Sequence, residues 1–583
     1  MERGATVSAT TVLRGVLATR ALRATVRRAG PAALLLHPAA AAAAAAAAVA
    51  MASSPGLLFS RSLKWGALLS LSQKVVSFTL NQLLVRWTSP EVFGLASIEL
   101  ELMLSTLLFL SREGIRLALL RETLGAASSR AQVQQFVNLS WVPCIVVISL
   151  SLLLHYYFVR TAGGRPTTTA WVVVLYCIGA TLEAMGEPWV NVYQNFAMMI
   201  PKMQAESVGV FIKSIVTFAT VAYLDLGVVG FGCAQVAYGL VYLIVLVFHT
   251  RSVKRDGNIS MRLAEFLPGP TASYSPTDGE ILRGAPLFGG QAISVTLAAT
   301  GSCLLKHVLT EADKIFLSLT QSHYDQGIFS VANNYASLIV RVLFLPLEDS
   351  ARVVFSKMSN TNSVTARATR QSRQAEQMSI TVLLQLLRVV ALVGIVFPLF
   401  GPSHVEVVVW YAFGSKWRGS NAIEQTLVAF CFYIFILGLN GISEAFVNVA
   451  ASRGAGFAGM NFGLVVSFGI YATVASILVV RIGTSGIVYA NCAAMLVRIV
   501  SSFWFIGSRF DCPWTSLLPS AQQAMAMFVA SSFCFLSSRR YNKSGHGHRD
   551  ALEHVSVGAI VFLALIVSYK KVILGQIKRL RNA

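Results

Sequence analysis

The chain has 583 residues, 55% of them hydrophobic and 13% charged, with a formal net charge of +21. Soluble globular domains average about 25% charged residues, so the composition excludes a water-soluble fold and makes the bilayer the solvent. The basic residues lie between apolar runs with no basic face interleaved with aromatics; this excludes a nucleic-acid partner and suits loops beside transmembrane helices and anionic lipid.

Residues 1–56 form an extension rich in Ala and Arg. It reads either as a targeting segment or as an over-extended start with Met51 as the initiator, and it takes no part in the fold. Apolar runs of about 20 residues, enough to cross a hydrocarbon core of about 30 Å, then predict helices over 64–85, 92–110, 136–158, 170–188, 204–223 and 228–249. A polar, Pro/Gly/Ser/Thr-rich linker covers 251–283. A second series follows at 285–305, 326–346, 379–400, 424–446, 460–480 and 485–506, with a final pair at 520–537 and 554–573. The expected fold is an all-α polytopic membrane protein with about 14 transmembrane helices. Its divisions are an N-lobe (57–250), the linker, a C-lobe (284–507), and a C-terminal helix pair with basic tail (508–583).

Basic clusters at Arg112–Arg130, in the linker, at 352–373 and in the tail all fall on one side of such an arrangement, which the positive-inside rule makes cytosolic, as it does both termini. On that assignment none of the sequons at Asn138, Asn258 and Asn542 is efficiently glycosylated. The eight cysteines are scattered singly and no Cys/His ligand spacing occurs, so neither a disulfide framework nor a metal site is expected; His546 and His548 read as a solvated loop.

The two series also match in detail. "GEPWVNV" (186–192) pairs with "SEAFVNV" (443–449), "FLSREGIR" (109–116) with "FLPLEDSAR" (344–352), and "VFGLAS" (92–97) with "IFSVAN" (328–333), in the same order. An even number of spans separates the copies, which predicts two six-helix lobes related by a pseudo-twofold axis along the membrane normal, enclosing a central cavity.

Charges inside spans usually face a bundle interior or watery space, because each costs about 2.5–3.5 kcal/mol on insertion scales. The candidate substrate-binding set is Arg86, Arg112, Arg116, Lys213, Lys306, Asn333, Asn334, Arg341, Glu348, Asp349, Asn440 and Glu444. Arginine suits phosphate because its planar fork donates two hydrogen bonds. Two members of the set, Arg116 and Glu348, have neighbours outside it, Glu113 and Arg352, at spacings that pair on a helix surface and so suit a structural role. Arg86 and Lys306 sit where side chains snorkel, whereas Arg341 and Lys213 lie deeper. Asn440 and Glu444 share one helix face, suited to sugar hydroxyls or to a neighbouring helix. Glu183, Glu187, Asp313, Lys314 and Arg498 are further ionisable residues in or near spans. No phosphate-binding loop G-x-x-x-x-G-K-[ST] occurs, and the short first loop lacks the acidic pair of a polytopic glycosyltransferase. No enzyme activity and no cofactor are expected.

"NQLLVRWTSPEVFG", "FLSREGIRLALL", "GEPWVNVYQNF", "LTEADKIFL", "DQGIFSVANNYASLIVRVLFLPLEDS" and "LNGISEAF" closely resemble the eukaryotic Rft family of oligosaccharide translocation proteins, over essentially residues 57–575. The resemblance implies a multidrug/oligosaccharidyl-lipid/polysaccharide (MOP) flippase architecture, residence in the endoplasmic reticulum membrane and a role in protein N-glycosylation. The implied activity is movement of a dolichol diphosphate carrying two N-acetylglucosamines and five mannoses to the lumenal leaflet. The alternative is an accessory protein that binds or chaperones that glycolipid without moving it. The implied partners are the dolichol-linked oligosaccharide, membrane lipid and the lumenal mannosyltransferase or oligosaccharyltransferase machinery, around a monomeric protein.

Overall fold

The computed structural model describes residues 79–582 with breaks at 81, 121, 123, 125–129, 162–167, 197, 253–262, 271, 275–280, 284–286, 289, 365–368, 414–416, 418–420, 452–455, 511–516, 518–519 and 544–546. The N-terminal extension and the predicted first span up to residue 78 lie outside this set, as do Asn258 and His546.

Apart from a short hairpin, the described elements are helical, and eleven helices are long and apolar enough to cross a membrane. The first is α1, Pro90–Leu119, started by Ser89, whose hydroxyl accepts from the Val92 N–H, with Pro90 in the first turn where its missing N–H costs nothing. It is followed by α2 (Arg130–Thr161), α3 (Thr168–Ala184), α4 (Glu187–Asn195), α5 (Met199–Phe218) and α6 (Val228–Phe248). Pro188 and a break at Gly186 divide α3 from α4 within what the sequence predicts as one span.

The linker contributes the hairpin, in which β1 (Ala272–Tyr274) pairs antiparallel with β2 (Ile281–Arg283). It is less free than its composition predicts. Phe266 is fully buried and stacks on Trp189 at 5.3 Å, and its carbonyl accepts from Trp141 Nε1. Asn138 bonds both the N–H and the C=O of Gly269, so this sequon asparagine is occupied inside the protein.

Next come α7 (Gly290–Thr310), α8 (Ala312–Thr320), α9 (His323–Ile339), α10 (Leu345–Val364), α11 (Thr369–Gly394) and α12 (Val396–Ala412). Then follow α13 (Asn421–Ala451), α14 (Gly456–Ile482), α15 (Thr484–Arg509), α16 (Ala521–Lys543) and α17 (His548–Asn582). The predicted span at 379–400 crosses the break at Ile395 between α11 and α12, which together form a longer apolar element, Gln377–Ala412. The predicted spans at 285–305 and 520–537 are helices α7 and α16, which lie outside the eleven.

Helices α2 to α6 pack chiefly on one another and on α1, and α10 to α15 on one another; α9 packs on both α1 and α13, and α16 and α17 lie against α11 and α12. Leu152, Leu153, Leu297, Val480 and Trp504 point outward, as expected where lipid, not water, covers the surface. The two helix sets meet closely where α1 crosses α9. A Cβ on Gly94 would lie 1.9 Å from the His323 carbonyl oxygen, and one on Gly327 would lie 2.1 Å from that of Pro90, so only glycine permits this approach. At the same end, Arg86 donates to the carbonyls of Tyr411 and Ala412, and the buried Trp417 indole donates to the Val85 carbonyl. Helix α7 makes the other extensive contact between sets, lying along α1.

Candidate functional site

Near the far end of α1, two arginines one turn apart meet two glutamates one turn apart. Arg112 Nη1 donates to Glu183 at 2.7 Å and lies 3.5 Å from Glu187. Arg116 grips Glu187 with both Nε and Nη2, at 2.7 and 2.5 Å. Arg112 and Arg116 lie one turn apart on α1, and Glu183 near the end of α3 and Glu187 at the start of α4 face them across the break at Gly186; the Glu187 side chain is fully buried. Glu113, the partner expected for Arg116 from helix spacing, is 3.5 Å away and secondary; the planar fork belongs to Glu187. Arg112 and Arg116 therefore carry no free charge.

The second helix set holds a related cluster with its partners exchanged. Glu444, at the repeat position of Glu187, pairs with Arg498 from α15 and accepts from Asn440 at 3.0 Å. Arg352, at the repeat position of Arg116, pairs with Glu348 on its own helix. Glu348 lies against α13 at Gly441, where an added Cβ would stand 2.6 Å from its Oε2. Each set thus spends most of its buried charge on its own cohesion, and Asn440 and Glu444 serve helix–helix contact.

The predicted residues that remain open lie elsewhere. Lys213 is part-buried, 3.8 Å from Glu101 and 5.9 Å from the Tyr238 ring centroid. Lys306 falls in α7, and its side chain is outside the described set. Arg86 is exposed and joins the two helix sets. Along α9 and its continuation, Asn333 and Arg341 are exposed and Asn334 half-exposed. Asn333, Ser337 and Arg341 succeed one another at four-residue steps and so share one stripe. Arg341 has no ion pair or hydrogen bond among the described residues, and neither has the exposed Asp349.

Arg341 also sits in a π-helical turn, Val340–Phe344, and α1 contains another at Leu95–Leu100. Such turns favour functional sites because they shift side chains off the regular helical register. Nothing in the residue pattern announces them. The cross-helix rungs, by contrast, had a signal in the matching spacings 112/116 and 183/187.

A multi-pass helical membrane protein, with ions paired inside each helix set and Arg341 left without a partner among the described residues along a crossing helix, is the class these features define. The fold is similar to that of the lipid II flippase MurJ in an inward closed conformation, with a TM-score of 0.53 at 11% identity over 87% of this chain and 99% of that one. The particular family follows from the sequence match: the Rft protein family description covers residues 60–578, and the chain belongs to that family. Among its relatives is the Man(5)GlcNAc(2)-PP-dolichol translocation protein of Yarrowia lipolytica, 29% identical over 75% of this chain and 68% of that protein. The protein of the same name from Dictyostelium discoideum is 27% identical over 85% of this chain and 91% of its own length.

Proposed function

We propose that this protein moves a dolichol-diphosphate-linked oligosaccharide from the cytosolic to the lumenal leaflet of the endoplasmic reticulum membrane. Family membership and the names of the relatives support the substrate class, and the likeness to MurJ supports the fold. On this reading the chain forms fourteen spans in two lobes about a pseudo-twofold axis. The end carrying Arg86, Gly94 and Gly327 is lumenal and closed, and the end carrying Arg116 and Arg352 is cytosolic.

The observation that carries the reading is Arg341. It lies 11 residues before the end of the span His323–Arg352, about 16 Å at 1.5 Å per residue, and is therefore deep in the membrane. An arginine there costs about 2.5–3.5 kcal/mol on insertion scales and persists where it meets water or an anion. With Asn333 and Ser337 on its stripe, it offers a forked cation to a diphosphate and neutral donors to sugar hydroxyls. The polyprenyl tail stays in lipid while the polar head passes between the lobes.

The test is transbilayer movement of labelled dolichol glycolipid in vesicles containing the purified chain. Arg341→Ala should slow movement at least tenfold without lowering thermal stability, and Arg341→Lys should restore part of the rate. Tight glycolipid binding with no acceleration by the unaltered chain would replace translocation with the accessory role.

A further inference from the structure

The ion pairs described above leave Asp313, like the exposed Asp349, without a cationic partner among the described residues. Asp313 stands two residues past Glu311, where α7 stops and α8 begins with a change of direction (Glu311 φ −95°, ψ 9°). Before this break, α7 packs on α1 of the first helix set. A Cβ on Gly114 would lie 2.2 Å from Thr300 Oγ1, His307 Nε2 lies 3.0 Å from Thr106 Oγ1, and the His307 ring stacks on Phe109 at 4.3 Å. After it, the chain turns to the second set. Phe316 meets Tyr471 of α14 edge-on at 6.3 Å, and Asp313 Oδ2 accepts from Asn491 Nδ2 of α15 at 2.7 Å.

The surroundings of Asp313 are polar but neutral. The Tyr471 hydroxyl, on a residue only 4% exposed, stands near the same carboxylate and has no hydrogen-bond partner among the described residues. Tyr433 of α13 lies nearby. On its own helix the neighbouring charges are Glu311 and Lys314, which pair with each other at 2.9 Å. Arg498 is engaged by Glu444. Asp313 has no ion pair among the described residues and is half-buried.

We propose that Asp313, with Asn491 and Tyr471, binds a small monovalent cation, a proton or a sodium ion, at the joint where the α7–α8 element passes from one helix set to the other. A single carboxylate among neutral oxygen and amide groups balances one positive charge; a divalent ion would leave an uncompensated charge in the membrane. Broken helices commonly place coupling ions in transporters. Occupancy would fasten α8 to α14 and α15 while α7 remains on α1, so cation binding alters how the two sets are joined. The coupling role rests on the translocation reading; the binding itself does not.

The test is thermal unfolding of the full chain in lipid nanodiscs. One series replaces N-methylglucamine with sodium at constant ionic strength and fixed pH, and a second varies pH without sodium. A sodium site predicts a saturable upward shift of several degrees in the first series, and a proton site a shift in the second alone. In either case Asp313→Asn should abolish the shift, and Glu206→Gln, a distant carboxylate of α5, should retain it. Tyr471→Phe should move the half-maximal concentration several-fold, and it carries the test if Asp313→Asn does not fold. No response of the unaltered chain in either series, or an unchanged response in Asp313→Asn, overturns the proposal. No glycolipid is needed, so an Asp313-dependent shift without translocation would remove the translocation reading alone. Translocation without any cation response would remove this proposal alone.

Discussion

Glu187 shows how the same residue type serves two ends. Fully buried and held by two arginines, it compensates charges that would otherwise stand unpaired in the membrane. Breaking a buried pair by removing one partner typically costs about 3–5 kcal/mol. Glu187→Ala should accordingly lower the unfolding midpoint far more than Arg341→Ala, and a double-mutant cycle with Arg116→Ala should show strong coupling. A near-zero coupling energy would contradict the bidentate pairing. Arg341, with nothing to lose, should report on transport instead.

At the level of elements, the crossing of α1 and α9 depends on glycine. A side chain at Gly94 would collide with backbone, which cannot yield as a flexible side chain can. Gly94→Leu should therefore pry the helix sets apart at this end. The check is labelling by a membrane-impermeant maleimide of a cysteine at Gln326, fully buried in the structure; labelling should rise in the Gly94→Leu background. Unchanged protection would mean that other contacts, such as those of Arg86 and Trp417, close this end. The positions of α1 to α3, α5, α6, α9, α11 and α13 to α15 were legible in the sequence because apolar length is a local property, whereas α4, α10 and α12 were not: α10 continues as helix to Val364 through part of what reads as the basic loop 352–373. The breaks at Gly186 and Ile395 and the π turns were not, since each is a small backbone adjustment that packing selects. The linker likewise read as polar loop, because one aromatic, Phe266, decides its docking and a single residue leaves no periodic signal.

For the whole molecule, the proposed orientation has a direct check. Efficient acceptor sequons introduced at 162–167 should be glycosylated in microsomes, whereas those introduced at 253–262 should not. Asn138 should stay unmodified in either orientation, because its side chain is bonded to Gly269 in the folded protein. The reverse pattern would invert the assignment of closed and open ends and with it the direction of transport.

The sequence by itself determined the bilayer as solvent, the succession of apolar helices, the internal repeat and the family, all of which rest on composition and on short contiguous motifs. It also placed the ions in the membrane without saying what each would meet. Only the tertiary structure decided that Arg112 and Arg116 are neutralised by residues 71 positions away, that α7 and α8 divide their packing between the two sets, and that Arg341 and Asp313 remain without ionic partners among the described residues. The physical reason is that hydropathy and helical periodicity act over a few turns, whereas the neutralisation of a buried charge depends on which distant helices cross and at what depth.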